Sequence, residues 1–537
     1  MQQSDTSIRL SATDLANHLS CPHLTTLNRA AAEGRIQPPW SHNPRIEVLQ
    51  KRGFEHERRF LEHLRGRGKS IHVLSNEGTP EKAFENTCAA MRSGADVIVQ
   101  AALLNGRWYG RADVLLRVET PSELGAWSYE VIDTKLSRET KGGTILQLCT
   151  YSDLVAQIQR RLPEHMHVVV PTSDFRPQSF RTQEFISYYR QIQRRLEEAI
   201  DHTEIQDATY PEPVPHCDIC RWWPVCDRRR RDDDHLSLVA GISRLQRKEL
   251  RRHEIRTLEA VAELASPLPW RPSRGSLDGY ERIRSQAQIQ LNGRRSGRPQ
   301  HELLAIEAGR GLCRLPAPSA GDIFFDLEGD PFVEPGGLEY LWGWATRDGQ
   351  QLVYSPAWAF TRAEEKSAYE AFVDMVIERL ERYPDLHIYH YAPYEPGALK
   401  RLMGRYASRE GEIDRMLRAG IFVDLYGVVR QALRASVEKY SIKDLEAFYS
   451  YVREIPLRDA SAALHAVEFA LEMEALDSME DQQKENVRVY NADDCYSAAR
   501  LQGWLEQLRA GLIEQGVAID RPPKVPGDPP ESVDMWT

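Results

Sequence analysis

Four cysteines bracket the first two-fifths of this 537-residue chain and constrain its fold more than any other feature. Cys217, Cys220 and Cys226 stand in PVPHCDICRWWPVCDRRRR, and Cys21 stands far upstream in SATDLANHLSCPHL. A C-x2-C-x5-C run carries three soft thiolates that can converge on one centre, and a distant fourth completes tetrahedral coordination. Closing that site staples the two ends of one folded unit. The residue pattern alone leaves the metal open, because C-x2-C is also half of a zinc knuckle. The other cysteines, Cys88, Cys149, Cys313 and Cys495, are scattered and are expected to be buried.

Inside the bracket, polar residues follow one another in a definite order. GFEHERRFLEHL reads as a helix carrying His56. After the hairpin signal Asn105-Gly106, GRADVLLRVE places Asp113 in a strand of branched apolar residues. WSYEVIDTKLS is a second strand, in which Asp133 and Lys135 are two apart and share one face. QLCTYSDLVAQIQRRL is an amphipathic helix with Gln147 and Tyr151 at i and i+4. Asp113, Asp133 and the Thr134 carbonyl are hard oxygen donors suited to Mg2+ or Mn2+, His56 adds an imidazole, and Lys135 suits work on water and phosphate.

The order of an early His, G-x-x-D, D-x-K and Q-x-x-x-Y resembles the RecB-like branch of the PD-(D/E)XK nucleases. Cys21, Cys217, Cys220 and Cys226 are further similar to the iron–sulfur subgroup of that branch, which implies a cluster of the 4Fe-4S kind, with zinc as the alternative. The resemblance covers about residues 8 to 232. It implies a restriction-endonuclease-like α/β domain in which His56, Asp113 and Asp133 hold the metal, Lys135 acts on water, and Gln147 and Tyr151 orient substrate.

A second set lies in the last third of the chain. In GDIFFDLEGD, Asp326 and Glu328 alternate with apolar residues and so leave a strand on one side. Asp348-Gly349 marks a hairpin, LHIYHYAPYEPGALKRL runs from strand to helix with Glu395 at the junction, and a long helix carries Tyr490 and Asp494 one turn apart. Converging carboxylates suit a two-metal site for attack of water on a phosphodiester, with Tyr490 holding or deprotonating that water.

This set resembles the DEDD exonucleases of the RNase H-like superfold, in the Y-x3-D variant, over about residues 320 to 510. The resemblance implies a mixed-sheet domain, 3′-5′ exonuclease chemistry, and Asp326, Glu328, Glu395 and Asp494 as ligands. One motif departs from the family: Glu395 stands where an aspartate is usual and His390 where an asparagine is. Asp424 in IFVDLYGVV is a second candidate for that ligand, or a helix N-cap.

The net charge of −10 is unevenly distributed, since residues 236 to 316 hold 15 Lys/Arg against 8 Asp/Glu. That segment reads as a basic helical connector with a loose helix-hairpin-helix resemblance around Arg251 to Ile255, followed by a polar hinge, and it is the expected phosphate contact. Residues 520 to 537 read as a proline-rich disordered tail. Gly68-Lys69-Ser70 lacks the glycine and helix of a nucleotide loop. With no apolar run long enough to span a bilayer and no signal-peptide core, a cytoplasmic location is expected.

The expectation is thus an α/β, two-headed metal-dependent nuclease acting on DNA rather than RNA, in repair, processing or defence. By resemblance it works with a helicase partner and no membrane. An RNA 3′-5′ exonuclease and a nucleic-acid-binding scaffold with inactive centres are the alternatives.

Overall fold

The computed structural model describes residues 1–4, 7–39, 44–75, 78–136, 140–201, 209–333, 336–349 and 351–527. The chain divides into two compact units, Met1–Asp232 and Asp233–Thr537.

The first unit opens with a small ribbon, β1 (Gln2–Ser4) against β2 (Ser7–Arg9). It is built around a six-stranded sheet in spatial order β3 (Ile71–Val73), β4 (Val97–Asn105), β5 (Trp108–Val118), β6 (Ser128–Thr134), β7 (His165–Val169) and β8 (Gln178–Arg181). β4, β5 and β6 form an antiparallel meander, and the Gly142–Gln159 helix then crosses over to bring β7 parallel to β6. The turn after Asn105 places Gly106 at φ +57°, which glycine adopts without steric cost.

Apolar side chains alternate between the sheet's two faces. Ile98, Ala101, Leu115 and Val131 meet Leu148 and Val155 of the crossover helix and Ile186 and Ile192 of the Thr182–Asp201 helix. Val97, Val99, Val114 and Ile132 meet Phe60 and Leu64 of the Pro44–Gly66 helix. The alternation is broken once. The ladder pairs Val99 with Val114 and Ala101 with Ala112 but leaves Gln100 and Asp113 unpaired, and Gln100 takes a left-handed φ of +57°. An irregularity of this kind re-aims a side chain, and here that side chain is Asp113.

In the second unit a five-stranded sheet runs in spatial order β12 (Gln351–Trp358), β11 (Leu338–Asp348), β10 (Ile323–Asp330), β13 (Ile388–His390) and β14 (Phe422–Asp424). β10 to β12 are antiparallel, and β13 and β14 lie parallel to β10. Ile323, Phe325 and Leu327 pack on Phe372 and Val376 of the Arg362–Arg382 helix, whose start is fixed by the reciprocal Thr361–Glu364 capping box. Phe324 turns the other way, toward Cys495 and Ala498 of the 34-residue Asp481–Glu514 helix. By the same period of two, Asp326 and Glu328 face that helix.

The basic segment is not a free hinge. Its helices Arg244–Arg252, Leu258–Ala262 and Leu277–Ser296 share a core of Leu250, Leu258, Val261, Tyr280 and Ala287. Gln286 Nε2 donates to the Ala435 carbonyl (2.9 Å) and Gln290 Nε2 to the Leu238 carbonyl (2.8 Å), both from buried positions. β9 (His301–Leu303) pairs with β15 (Leu433–Ala435), so the segment is locked into the unit that carries the second sheet. The element after Arg251 to Ile255 is a five-residue helix, too short for the second helix of a helix-hairpin-helix.

The expected tail also differs in its described part. Arg521 donates to the carbonyls of Leu315 (3.0 Å) and Pro316 (2.8 Å) and pairs with Glu506, and Ile519 is buried. Residues 528 to 537 lie outside the described residues. Cys88, Cys149, Cys313 and Cys495 are buried and free. Among the described residues, no helix is long and apolar enough to cross a membrane.

Candidate functional site

In the second unit, ligand oxygens of Asp326, Glu328 and Asp494 all lie within 4.8 Å of one another, the one such triad of His, Cys, Asp or Glu among the described residues. Two carboxylates come from alternate positions of β10 and the third from the helix packed across it. Burial and mutual repulsion push the carboxyls of Asp326 and Glu328 up, Glu328 to about 8. Such a cluster has an excess of negative charge that a divalent cation relieves.

Asn491 holds the cluster in place. Its Nδ2 donates to Asp326 Oδ2 (2.7 Å), and its Oδ1 accepts from the Tyr354 hydroxyl (2.7 Å). Gly343, directly opposite Asp326 in the ladder, makes the room: a Cβ there would stand 1.5 Å from Asn491 Oδ1.

Two cations reach the third carboxylate. Lys443 Nζ donates to Asp494 Oδ2 (2.9 Å) and Arg453 donates to Asp494 Oδ1 (2.5 Å), while Arg453 also pairs with Glu446 (2.7 Å). Tyr490 lies beneath them, with Lys443 Nζ 5.0 Å and Arg453 Cζ 5.5 Å from its ring centre. Burial, followed by the Asp494 charge, pushes the Tyr490 hydroxyl up to about 12. A phenol so weakly acidic donates a hydrogen bond and orients; it is a poor proton acceptor at neutral pH. Lys443, Arg453, Asn491 and Tyr354 are absent from the sequence reading. The segment SIKDLEAF shows only a short capped helix, and its placement beside Asp494 is tertiary.

Glu395, on the first turn of the Tyr394–Tyr406 helix, is buried, and burial raises its carboxyl. His390 Nδ1 stands 3.4 Å from Glu395 Oε2, but that nitrogen bonds the Ala392 carbonyl at 2.6 Å, and Oε2 has no hydrogen-bond partner. Asp424 is the N-cap of the Leu425–Ala432 helix, and its Oδ1 accepts from the backbone of Tyr426 and Ala392, both at 3.0 Å. It therefore secures the loop that leads into Glu395.

In the first unit, Asp113 Oδ2 accepts from the Thr134 backbone (2.9 Å) and hydroxyl (3.1 Å). Asp133, 1% exposed, has Lys135 Nζ 2.8 Å from Oδ2 and Gln147 Nε2 3.3 Å from Oδ1. Burial first and then the Asp113 charge push the Asp133 carboxyl up to about 8. His56 Nε2 is 3.2 Å from the Val169 carbonyl, so His56, Asp113 and Asp133 do not close into a triad of the kind seen in the second unit. Tyr151 is buried behind Asp133, against Gly110, where a Cβ would stand 2.7 Å from its ring. Glu57, unnoticed in the sequence, is held by Gln100 Nε2 (2.9 Å), and burial followed by Asp113 raises its carboxyl.

Cys21, Cys217, Cys220 and Cys226 line one pocket of about 330 Å³, counted to its mouth, with Trp222 and Arg230. Cys21 is the N-cap of the Pro22–Ala32 helix, its carbonyl accepts from the Leu24 backbone (3.1 Å), and burial pushes its thiol up. Burial pushes the Cys226 thiol up to about 12. A tetrahedral zinc site, with Zn–S near 2.3 Å, sets its sulfurs about 3.8 Å apart. No three of these sulfurs come within 4.8 Å of one another.

No curated protein matches the chain. A family model does: residues 323 to 506, which carry the mixed sheet of the second unit together with Asp326, Glu328 and Asp494, match the RNase H superfamily, which supports an RNase H-like domain there and suggests a nuclease-like function.

Proposed function

We propose that the chain is a metal-dependent nuclease whose second unit hydrolyses phosphodiester bonds as a 3′-5′ exonuclease, DNA being the preferred substrate. The observation that carries this reading is the convergence of Asp326, Glu328 and Asp494 inside the segment that matches the RNase H superfamily. The donor set fits Mg2+ or Mn2+: three converging carboxylates, two of them with depressed acidity, and a buried oxygen on Glu395 without a hydrogen bond. When bound, the ion supplies charge to the phosphate oxygens and lowers the pKa of water. Asn491 fixes Asp326, Tyr490 donates to water or phosphate, and Lys443 places a positive charge beside them.

For the first unit the proposal is a RecB-like PD-(D/E)XK centre. A helix, a three-stranded meander, a crossover helix and a parallel strand support it, as do Asp113 and Asp133 on adjoining strands with Lys135 just past the end of the second. The cysteine pocket is proposed to hold an iron–sulfur cluster on the family resemblance, and the lining of one pocket by all four cysteines supports a shared centre. A helicase partner follows from the family resemblance alone. A second reading, in which this unit mainly grips substrate, is favoured by the pairing of Lys135 with Asp133 and of His56 with a backbone carbonyl.

Labelled single-stranded DNA, duplex DNA and RNA, incubated with Mg2+ or Mn2+, test both. Asp326→Ala should abolish 3′-5′ trimming, and Asp133→Ala should remove any remaining cleavage. Trimming that survives Asp326→Ala and Asp494→Ala would end the proposal for the second unit.

A further inference from the structure

The second unit carries a cleft that neither the carboxylate site nor the superfamily match accounts for. It encloses about 760 Å³, in the upper part of the roughly 300 to 1,000 Å³ of a ligand-binding pocket, and it is open to solvent. Phe448, Tyr451, Tyr496 and Trp504 supply half-buried aromatic surface, and Arg347 and Arg500 stand exposed at its walls. No Asp or Glu lines it, although the chain's net charge is −10. Among the described residues neither arginine is held in an ion pair, and Arg347 Cζ lies 5.8 Å from the centre of the Phe324 ring.

Half-buried aromatic rings beside unpaired guanidinium groups suit a chain of flat bases joined by phosphates. Every base has a face to stack, at about 1 to 3 kcal/mol each, and unpaired cations meet the backbone. The cleft also shares its walls with the carboxylate site. Tyr451 donates to Asp493 Oδ1 (2.6 Å) from the loop whose Arg453 binds Asp494. Tyr496 packs edge-on against Tyr354, which bonds Asn491. Along the Asp481–Glu514 helix, Arg500 and Trp504 lie about 9 and 15 Å beyond Asp494 at 1.5 Å per residue.

We propose that this cleft binds single-stranded nucleic acid, with bases against the aromatic residues and phosphates against Arg347 and Arg500, and so holds the strand whose end the carboxylates cut. The inference rests on the nuclease reading for its purpose, but its test does not.

The test is binding of a fluorescein-labelled single-stranded oligonucleotide, DNA and RNA, to the full chain carrying Asp326→Ala, followed by anisotropy across a salt series. Arg347→Glu with Arg500→Glu should weaken binding at least tenfold and lower the salt slope by about 1.4, as for two phosphate contacts to a single strand. Both side chains are exposed, so thermal stability should be unchanged. With Asp326 intact, the same pair of changes should leave hydrolysis of bis(p-nitrophenyl) phosphate at its wild-type rate, because that substrate is too short to reach the cleft. Unchanged oligonucleotide affinity would overturn the proposal, as would equal weakening of duplex and single-strand binding. Loss of small-phosphodiester hydrolysis in Asp326→Ala, measured separately, reports on the nuclease reading alone.

Discussion

Replacing Lys443 by methionine keeps the side chain's length and removes its charge from Asp494, and the consequences have opposite signs with and without metal. The ammonium lies 2.9 Å from Asp494 Oδ2, with side chains 28% and 10% exposed. At an effective dielectric constant near 20 the attraction is about 6 kcal/mol before desolvation. Breaking a buried pair costs roughly 3 to 5 kcal/mol, and the remaining Arg453 contact places this one at about 3. For a large unit, at about 2 °C per kcal/mol, the metal-free protein should lose about 6 °C in Tm.

Metal should restore more than it adds to the wild type. With a divalent ion drawing off their protons, Asp326, Glu328 and Asp494 would carry three negative charges, while Lys443 offsets one and Arg453 is shared with Glu446. One divalent ion balances what remains. Without Lys443 the site gains a further negative charge, so Mn2+ should bind more tightly while turnover falls. Differential scanning fluorimetry with EDTA or Mg2+ and calorimetric Mn2+ titration read both effects. If Lys443→Met shows the same Tm as wild type in EDTA and the same gain on adding Mg2+, the charge argument is wrong.

Glu395→Gln removes a buried charge with an unpartnered oxygen, so metal-free stability should rise by about 1 kcal/mol while Mn2+ affinity falls about tenfold; equal affinity would exclude Glu395 as a ligand. Cys217→Ser should abolish the brown colour and iron content of anaerobically purified protein and lower only the unfolding transition of the first unit; stoichiometric zinc without iron would refute the cluster. In the first unit, burial raises the Glu130 carboxyl, but hydrogen bonds from His167 (2.9 Å) and the His165 backbone (2.9 Å) outweigh it and leave the group below its usual 4.5. A lowered carboxyl stabilises above the unfolded pKa and ceases to do so as pH falls through the folded one, so the stability gap between wild type and Glu130→Gln should close below about pH 4.5. A gap that widens in acid would refute it.

The carboxylates of β10 were legible because a strand's period of two is stated locally. Once Phe324 and Phe325 fall on opposite faces, Asp326 and Glu328 have no freedom. Lys443 and Arg453 were not legible, since nothing within SIKDLEAF or YVREI indicates that the chain returns to Asp494. Asp113 was found by its strand, but the left-handed Gln100 that re-aims it has no glycine to announce it. Residues 277 to 296 misled for a different reason. Gln286 and Gln290 read as linker polarity, yet both are buried because backbone carbonyls accept their amides, and a polar residue so satisfied can occupy a core.

Part of the basic segment, where composition points to phosphate contact, is engaged in ion pairs. Arg295 pairs with Glu259 (2.6 Å) and Glu263 (3.0 Å), and Arg294 with Asp234 (2.6 Å) and Glu438 (3.4 Å). A guanidinium facing two carboxylates presents little net field to a passing phosphate, whereas Arg347 and Arg500 present nearly a full charge each. Arg294→Ala with Arg295→Ala, both partly exposed, should cost less than about 1 kcal/mol each in stability and change single-strand affinity less than about threefold. Anisotropy on the same oligonucleotide decides the matter. If the pair weakens binding as much as Arg347→Glu with Arg500→Glu, the helical segment is a phosphate-binding surface after all, and the ion pairs open when the strand arrives.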